Sequence, residues 1–277
     1  MSYHYFFVSG ENISGDHIEL QSDDSKHLTQ VLRAKYKDKV EVSDNDGFRY
    51  LTEIIQIKKN NVLLNILEKK EIKKPSVEVI LYQCILKRSS MELVIQKAAE
   101  IGLTGVIPVK SKRVVSAQKN DSGKLTRWRK IALEASKQSK RNFKCDVSGE
   151  LILKDIVPEN FDAFYVTYEG IDPEEIKKIN IVASLEKILE EKKRIQNTIN
   201  PAKEMADYSN KDKLASNQEP YIKIGFIIGP EGGFEGSEVD FLVKKGAIKL
   251  SLGRNILKAE TASIFMSSII KYTLEIY

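Results

Sequence analysis

Cysteine and histidine are scarce in this sequence of 277 residues, which contains two cysteines and three histidines. Cys84 and Cys145 lie far apart and in no ligand-like spacing, which argues against a disulfide framework and against a zinc site. The histidines (His4, His17 and His27) show no partner pattern. We therefore predict that they are structural or surface residues, and we expect no bound metal.

Long apolar runs are also absent. No stretch approaches the roughly 20 apolar residues that a membrane-spanning helix needs. The first residues lack the charged segment and long apolar stretch that are typical of a signal peptide. Charged residues make up 30% of the chain and hydrophobic residues 42%, as in ordinary globular proteins. The sequence thus predicts a cytoplasmic protein without a membrane partner.

Positive charge is concentrated in one segment. The chain has 44 Lys and Arg against 39 Asp and Glu, and this net charge of +5 is too small to indicate nucleic-acid binding by itself. Between Lys110 and Lys144, however, twelve basic residues stand against two acids, so that the rest of the chain is net acidic. The segment could be a solvated helical face, but its charge density favours contact with RNA phosphates, with Lys137, Lys140 and Arg141 on neighbouring turns.

The first 72 residues read as short strands. They alternate or are rich in β-formers at Tyr3–Val8, Lys39–Ser43, Tyr50–Lys58 and Asn61–Lys69, with a turn signal at Asn45-Asp46-Gly47. A single helix is predicted over Asp23–Leu32, with Asp23 or Asp24 as its N-cap. Several short strands with little helix indicate a small β-barrel over residues 1–72. The charged stretch Lys69–Pro75 is interpreted as a linker.

From Val77 onward the pattern alternates between strands and helices. Strands are predicted at Val77–Ile85, Val106–Val109, Phe161–Val166, Ile222–Ile228 and Ile248–Leu252, and helices at Lys87–Gly102, Leu125–Ser139, Ser237–Lys245 and Thr261–Ile276. Ser89 and Glu92 fit a capping box at the first of these helices. The alternation predicts an α/β domain with a mostly parallel sheet over residues 76–277. Residues 183–220 interrupt it: a charged helix at Ala183–Ile195 is followed by Asn197–Glu219, a predicted mobile surface insertion.

Two loops that follow predicted strands are marked by glycine. The first is Gly229-Pro230-Glu231-Gly232-Gly233, and the second runs from Leu252 through Gly253 to Ala262. In open α/β sheets, ligands bind at the carboxyl ends of strands, and glycines there let the backbone approach a ligand. The spacing is that of neither a Walker loop nor a dinucleotide fingerprint. A plain turn would explain either loop alone, but two of them favour a shared ligand pocket.

At these loops the sequence resembles a known family. Gly229–Phe234 and Leu252–Ala262 resemble the signature loops of the SPOUT methyltransferases, more specifically those of the bacterial 16S ribosomal RNA (uracil-N3)-methyltransferase family. The resemblance covers the whole chain and includes Tyr5–Val8, His27–Arg33 and Asp46-Gly47 in the first domain and Met91–Gly102, Ser111, Arg113 and Arg127–Ser139 in the second. The loop departs from the family pattern at Arg254, Asn255, Lys258 and Ala259, where the family usually has Pro, Arg, Arg and Thr.

This resemblance implies a fold and an activity. The fold is α/β, a SPOUT-type parallel sheet with a C-terminal trefoil knot, preceded by a PUA-like β-barrel that binds RNA. The activity is methylation of N3 of a specific uridine in 16S ribosomal RNA of the small subunit, with S-adenosyl-L-methionine as cofactor. The implied partners are that RNA within the assembled subunit and a second copy of the chain in a homodimer. The alternatives are a SPOUT methyltransferase for another RNA and a non-catalytic RNA-binding assembly factor.

The predicted site residues fall into three groups. Lys258 and Arg254 are expected to stabilise a uracil anion, while Glu260 is either the base or a helix cap. The cofactor-binding residues are predicted to be Glu169, Ile228, Gly229, Pro230, Glu231, Gly232, Gly233, Leu252, Gly253, Asn255, Ile256, Leu257, Thr261 and Ala262. The RNA-binding residues are predicted to be Arg33, Arg113, Lys137, Lys140 and Arg141. Trp128 lies on the apolar face of its predicted helix and is expected in the core.

Overall fold

The structure is a computed structural model that describes residues 3–113, 122–170, 180–199 and 221–276. It divides into two compact units. The first comprises Met1–Lys74 together with Leu133–Lys144, and the second comprises Pro75–Ala132 together with Cys145–Tyr277.

The first unit is built on a six-stranded sheet. Its strands are β1 (His4–Phe7), β2 (Ile13–Ser14), β3 (His17–Gln21), β4 (Lys39–Ser43), β5 (Phe48–Ile57) and β6 (Asn61–Glu71), in the order β1-β4-β5-β6-β3-β2. All neighbouring pairs are antiparallel except β1 and β4. Alternate residues of these strands bury one face, as the pleat requires, and the buried set includes Phe6, Ile18, Val40, Ile54 and Leu64. The β-rich first domain predicted from the sequence is thus confirmed as a curled sheet around one core.

Two local predictions in this unit are wrong. The helix α1 (Ser22–Lys26) begins after Gln21, and it continues as a π-helical turn over His27–Val31. Asp23 and Asp24 lie inside the first turn, where their carboxylates are favourable near the positive end of the helix dipole. The stretch interpreted as a linker begins inside β6, where the Lys69 ammonium lies 3.9 Å from the centroid of the Phe48 ring. This cation–π contact stabilises a lysine within the strand, so that the charged residues Lys69–Glu71 can remain part of β6.

A segment distant in sequence completes the first unit. The Tyr5 hydroxyl donates a hydrogen bond to the backbone carbonyl of Arg141 over 2.6 Å, and the buried Ser43 hydroxyl donates to that of Asn142 over 2.8 Å. The Lys144 amide donates to the side-chain oxygen of Asn45 over 2.7 Å. The sequence did not predict this return of the chain, because its amphipathic pattern runs through residue 133 without a break.

The second unit is an α/β fold. Its strands are β7 (Val77–Cys84), β8 (Gly105–Lys110), β9 (Asp146–Val147), β10 (Leu151–Ile152), β11 (Ala163–Thr167), β12 (Ile222–Ile228) and β13 (Ile248–Leu250). Their order is β10-β8-β7-β12-β11-β13, with β9 also beside β8, and every recorded pair is parallel. The helices are α2 (Arg88–Ile101), α3 (Ser122–Gln138), α4 (Ile181–Ile199), α5 (Gly236–Lys244) and α6 (Ala259–Ile276). The predicted mostly parallel sheet is confirmed.

The chain returns from the edge of this sheet to its middle. β13 lies at the edge beside β11, whereas the helix that follows it, α6, packs against α2, β7 and β12. A trefoil knot also needs the chain to pass through a loop, so the knot stays a prediction. Within the part of the chain that the structure describes, no helix has the length and apolar character for crossing a bilayer.

Helix ends in this unit depart from the sequence pattern. Ser89 and Glu92 form no capping box, because α2 begins after Lys87 and the Glu92 carboxylate pairs with Arg88 and Arg127 instead. An unpredicted capping box joins Glu235 and Glu238 at the start of α5. The predicted mobile insertion lies outside the described residues from position 200 onward. The helix before it, α4, extends to Ile199.

Candidate active site

Three strands of the second unit end at the same edge of the sheet. Val166 of β11 lies opposite Ile227 of β12, and Thr167 of β11 lies opposite Leu250 of β13. The segments that follow these strands, together with the start of α2, enclose a pocket of about 540 Å³. Its lining includes residues 167–169, 228–231, 233, 234, 251–260 and 262, with Lys87 just before α2 and Ser90 in its first turn. The two glycine loops therefore share one pocket, at the edge where parallel sheets bind ligands.

Gly233 brings the first loop against the Glu169 carboxylate. Its backbone has a φ of +68°, and a Cβ atom there would lie 2.6 Å from Oε1 of Glu169. The Gly233 amide also donates to the Pro230 carbonyl over 2.9 Å, which closes the turn. The left-handed backbone and the adjacent carboxylate both disfavour any residue with a side chain. Glu169, predicted as a third wall of the pocket, does line it.

Glu231 ties the same loop to the start of α2. Its carboxylate accepts a hydrogen bond from the backbone amide of Lys87 over 2.9 Å. Gly232, in contrast, faces away from the pocket: a Cβ atom there would meet Arg113, whose guanidinium donates to the Gly232 carbonyl over 3.3 Å. Gly232 and Thr261 are the two predicted cofactor-binding residues that do not line the pocket.

The second loop carries the cationic side chains. Gly253 has a φ of +127° with open space beside it, and the Ser251 hydroxyl donates to its carbonyl over 3.1 Å. Arg254 and Lys258 are exposed, and both line the pocket. The carbonyl of Lys258 accepts the amide of Ala262 over 2.8 Å. For this reason α6 begins two residues earlier than predicted and holds Glu260 in its first turn.

A buried hydrogen bond anchors the start of α6. Gln83, near the end of β7, is fully buried, and its Oε1 accepts the Ser263 hydroxyl over 2.5 Å. Ser263 lies one turn after Ala259, whose carbonyl is 2.8 Å from the same hydroxyl. This contact fixes the helix that follows Lys258. One feature of the sequence could have indicated this contact: Gln83 is a single polar residue within the otherwise apolar end of β7.

Several lining residues were missed by the sequence reasoning. They are Lys87, Ser90, Thr167, Tyr168, Phe234, Ser251 and Ala259. Most of them adjoin predicted residues, so extending each loop by one or two positions would have found them. Lys87 and Ser90 follow β7, which neighbours β12 in the sheet. The order of the strands was the information needed to place them.

The predicted RNA-binding lysines form ion pairs inside the first unit. Lys137 has a side chain only 8% exposed, and its ammonium pairs with Asp24 over 2.5 Å and with Glu134 over 3.0 Å. Lys140 pairs with Glu41 over 3.0 Å. Part of the positive charge of the 110–144 segment is therefore neutralised locally.

Glu41 is held ionised by this arrangement. Burial by itself would raise the pKa of its carboxyl, but hydrogen bonds from Lys140 and Arg49 bring the pKa below the ordinary value. The Arg49 guanidinium lies 2.9 Å from the same carboxylate. A carboxylate shared by two cations stabilises the unit as long as it remains charged.

The other predicted RNA-binding residues are placed differently. Arg33 is exposed and adopts a left-handed backbone with a φ of 55°. Arg113 is half exposed, and its guanidinium lies 3.9 Å from Glu235. A hydrogen bond from Lys112 lowers the pKa of the Glu235 carboxyl, so the acid beside Arg113 is charged near neutral pH.

The cysteines offer no nucleophile. Both are buried and free, and burial raises the pKa of the Cys84 thiol to about 12. The prediction that Trp128 belongs to the core is confirmed, since it is 2% exposed. Among the residues that the structure describes, no cluster of His, Cys, Asp and Glu could hold a metal ion.

The parallel sheet, the curled β-sheet unit and the pocket of strand-end loops define a class, the two-domain RNA methyltransferases. Residues 73–178 and 173–271 match the family model described as RNA methyltransferase domain, and residues 20–67 match the RNA methyltransferase PUA domain. A relative in Mesomycoplasma hyopneumoniae, named ribosomal RNA small subunit methyltransferase E, is 30% identical over 86% of each chain. One of the same name in Rickettsia conorii is 28% identical over 95% of this chain and 93% of its own. This chain belongs to the ribosomal RNA small subunit methyltransferase E family.

Solved structures share the fold. A protein from Legionella pneumophila superposes with a TM-score of 0.75 at 22% identity, covering 98% of both chains. A ribosomal RNA small subunit methyltransferase E from Neisseria gonorrhoeae superposes with a TM-score of 0.71 at 22% identity, also covering 98% of both chains. Both of those proteins were crystallised with bound S-adenosylmethionine.

Proposed function

We propose that this protein transfers a methyl group from S-adenosyl-L-methionine to N3 of one uridine in 16S ribosomal RNA, in the cytoplasm. The observation that carries the proposal is the pocket enclosed by the three strand-end segments and the start of α2, in a chain of this family. Relatives across bacteria are named for methylation of small-subunit ribosomal RNA.

The pocket suits the cofactor. Its volume of about 540 Å³ is in the range of ligand sites, roughly 300–1,000 Å³. The Glu169 carboxylate can accept hydrogen bonds from hydroxyl or ammonium groups of a ligand. The open space beside Gly253 lets a ligand approach the backbone closely. When bound, the cofactor supplies an electrophilic methyl group on a positively charged sulfur. Ile228, Leu252, Ile256 and Leu257 add apolar surface to the same lining.

The pocket's cations fit the methyl acceptor. Methylation at N3 removes the proton from that nitrogen, and negative charge spreads onto the two uracil oxygens as the proton leaves. Lys258 and Arg254 line the pocket and would stabilise that charge in the transition state. Glu260 lines the pocket within the first turn of α6. There its carboxylate could accept the proton, or its negative charge could interact favourably with the positive end of the helix dipole. Glu260→Gln removes both the base and the charge, so the two roles are separated by two readouts: loss of the base slows methyl transfer, whereas loss of the dipole interaction lowers stability in urea.

RNA contact is proposed for both units. In this proposal residues 1–72 form a PUA-like RNA-binding domain and residues 76–277 form the methyltransferase domain. Arg33 and Arg113 provide exposed or half-exposed guanidinium groups for phosphate contacts, and Arg141 extends the set. Lys137 and Lys140 contribute less, because Asp24 and Glu41 offset their charges.

A homodimer is supported by an apolar stripe on α6. Phe265 and Tyr272 are 43% and 67% exposed and stand two turns apart on one face of the helix. Ile256 in the pocket loop is 81% exposed. Burial of such a surface against a second copy would remove apolar area from water and place the partner beside the pocket.

The test is methyl transfer with a mapped product. Wild-type protein and Lys258→Ala would be incubated with labelled S-adenosylmethionine and either small subunits or free 16S RNA that lack the modification. We expect one N3-methyluridine with wild-type protein on assembled subunits and little with the variant. Methylation of a different RNA would support the other enzyme class. Absence of any methylation, despite RNA binding, would support a non-catalytic assembly factor.

A further inference from the structure

The segment of residues 33–39 combines four cations with one exposed aromatic ring. It joins the π-helical turn to β4 and contains Arg33, Lys35, Lys37 and Lys39 against a single acid, Asp38. None of the four cations forms an ion pair with another residue in the described part of the chain. Tyr36, at the centre of the segment, is 61% exposed. The Lys37 ammonium lies over the neighbouring Tyr36 ring, 5.8 Å from its centroid. Among the described residues, no carboxylate neutralises these charges as Asp24 and Glu41 neutralise Lys137 and Lys140.

The backbone of this segment is held in place. The Lys35 amide donates to the Asp38 carboxylate over 2.6 Å, and the Asp38 amide returns a bond to the Lys35 carbonyl over 3.0 Å. The Lys37 amide donates to the carbonyl of Ile54 in β5 over 2.9 Å. Arg33 and Lys37 adopt left-handed backbones, with φ of 55° and 71°, which non-glycine residues rarely do. Such a constrained loop presents its side chains from fixed positions.

An exposed aromatic ring among cations is the arrangement that recognises single-stranded nucleic acid. Cations follow the phosphates while the ring stacks on a base, and every base offers a face for stacking. Val31, five residues earlier in the chain, is also exposed, at 65%. Lysines alone would suit any anion, so it is the tyrosine that points to a base.

We propose that Tyr36 stacks on an unpaired base of the RNA substrate while Arg33, Lys35 and Lys37 contact the adjoining phosphates. This inference rests on the proposed function for the presence of an RNA partner, but it concerns a surface of the first unit and none of the pocket residues. A protein partner could also cover Tyr36, but it would not require a base. A comparison of RNA with and without bases separates the two.

Stacking is tested with two oligonucleotides and two variants of the full chain. The probes are a fluorescein-labelled uridine decamer and an abasic RNA backbone of equal length, with binding followed by fluorescence anisotropy. Stacking of one base on one aromatic side chain changes affinity by roughly fivefold to hundredfold. We expect Tyr36→Ala to weaken decamer binding by about tenfold and to leave abasic binding unchanged. Tyr36→Phe keeps the ring and should bind the decamer as the wild type does.

The phosphate contacts are tested by salt dependence. For single-stranded RNA, each lost phosphate contact lowers the slope of log K against log salt by about 0.7. The double variant Lys35→Ala, Lys37→Ala should therefore lower the slope by about 1.4. The matched control, Lys70→Ala with Lys73→Ala, removes two exposed lysines near the opposite end of β5 and should leave the slope unchanged.

Two results would overturn the inference. One is unchanged decamer affinity in Tyr36→Ala, and the other is an equal loss on the decamer and the abasic backbone, which would mean that no base is recognised. Cofactor affinity and methyl transfer are measured separately. A protein that binds the decamer through Tyr36 but never methylates RNA would refute the proposed function alone. A methylating enzyme indifferent to Tyr36 would refute this inference alone.

Discussion

Gly233→Ala tests how the first loop and Glu169 build the pocket. The new Cβ atom would lie 2.6 Å from Oε1 of Glu169, far closer than a carbon and an oxygen can approach. Because that oxygen is at the end of a flexible side chain, the carboxylate would move while the backbone stays. Alanine in a left-handed conformation costs about 1–2 kcal/mol of folding stability. We expect the protein to remain folded with a displaced Glu169.

The displaced Glu169 carboxylate should also lower the affinity for the cofactor, and this loss is separate from the cost in folding stability. Loss of one hydrogen bond to a charged group costs about 1.5–3 kcal/mol, which is a ten- to hundredfold rise in Kd. Isothermal titration calorimetry with S-adenosylmethionine measures the affinity, and urea denaturation measures the stability. Gly246→Ala is the matched control, since Gly246 also has a positive φ, 95°, but nothing lies near its Cβ position. It should show the stability cost without the change in affinity.

A double-mutant cycle locates the effect at Glu169. In a Glu169→Ala background, Gly233→Ala has no carboxylate left to displace, so the two losses of affinity should not add. Additive losses would mean that Gly233 acts on the ligand independently of Glu169. Wild-type affinity in Gly233→Ala, with the stability cost present, would refute the reasoning about the pocket wall.

The other predictions concern catalysis, pH and stability. With both ligands saturating, Lys258→Ala should lower the rate of single-turnover methylation by about a hundredfold, whereas Lys258→Arg should stay active. If Lys258→Ala were as fast as the wild type, stabilisation of the uracil anion would be assigned to Arg254. Because the folded-state pKa of Glu41 is lowered, its contribution to stability is present above the ordinary value of 4.5 and is lost as pH falls through the folded-state pKa. Urea denaturation across that range should show less pH dependence in Glu41→Gln, and an unchanged dependence would contradict the assignment. Lys137→Ala leaves the partly buried Asp24 carboxylate without its partner and should destabilise the protein by about 2 kcal/mol. Lys187→Ala, in an exposed ion pair, should cost under about 0.5 kcal/mol. Equal costs would refute the structural role of Lys137.

The sequence was most informative where periodicity is strong. The strands Lys39–Ser43 and Ile222–Ile228 have the predicted bounds, and the alternation from Val77 onward predicted the parallel sheet. Glycines at the ends of strands identified the pocket, because parallel strands bring their carboxyl ends to one edge. Lys258 and Arg254 were placed in it for the same reason.

Features that depend on distant contacts could not be read from local pattern. Lys137 resembles a phosphate contact in sequence, and only the fold reveals Asp24 beside it. Gly232 and Gly233 are adjacent and identical, but the backbone turns one toward Arg113 and the other toward Glu169. Gln83 gains its partner, Ser263, from a helix 180 positions later in the chain. Each of these required the three-dimensional path of the chain.

The discontinuous first unit has a consequence for how the protein is made. Domains generally fold as units during synthesis, beginning from the amino terminus. Here the buried Ser43 hydroxyl donates to the Asn142 carbonyl and the Tyr5 hydroxyl donates to the Arg141 carbonyl. The ribosome must therefore release residues 75–132, which belong to the second unit, before the first unit can close. A nascent chain that ends at Lys74 therefore lacks part of the first unit, and the first unit completes its folding while the second unit is being synthesised.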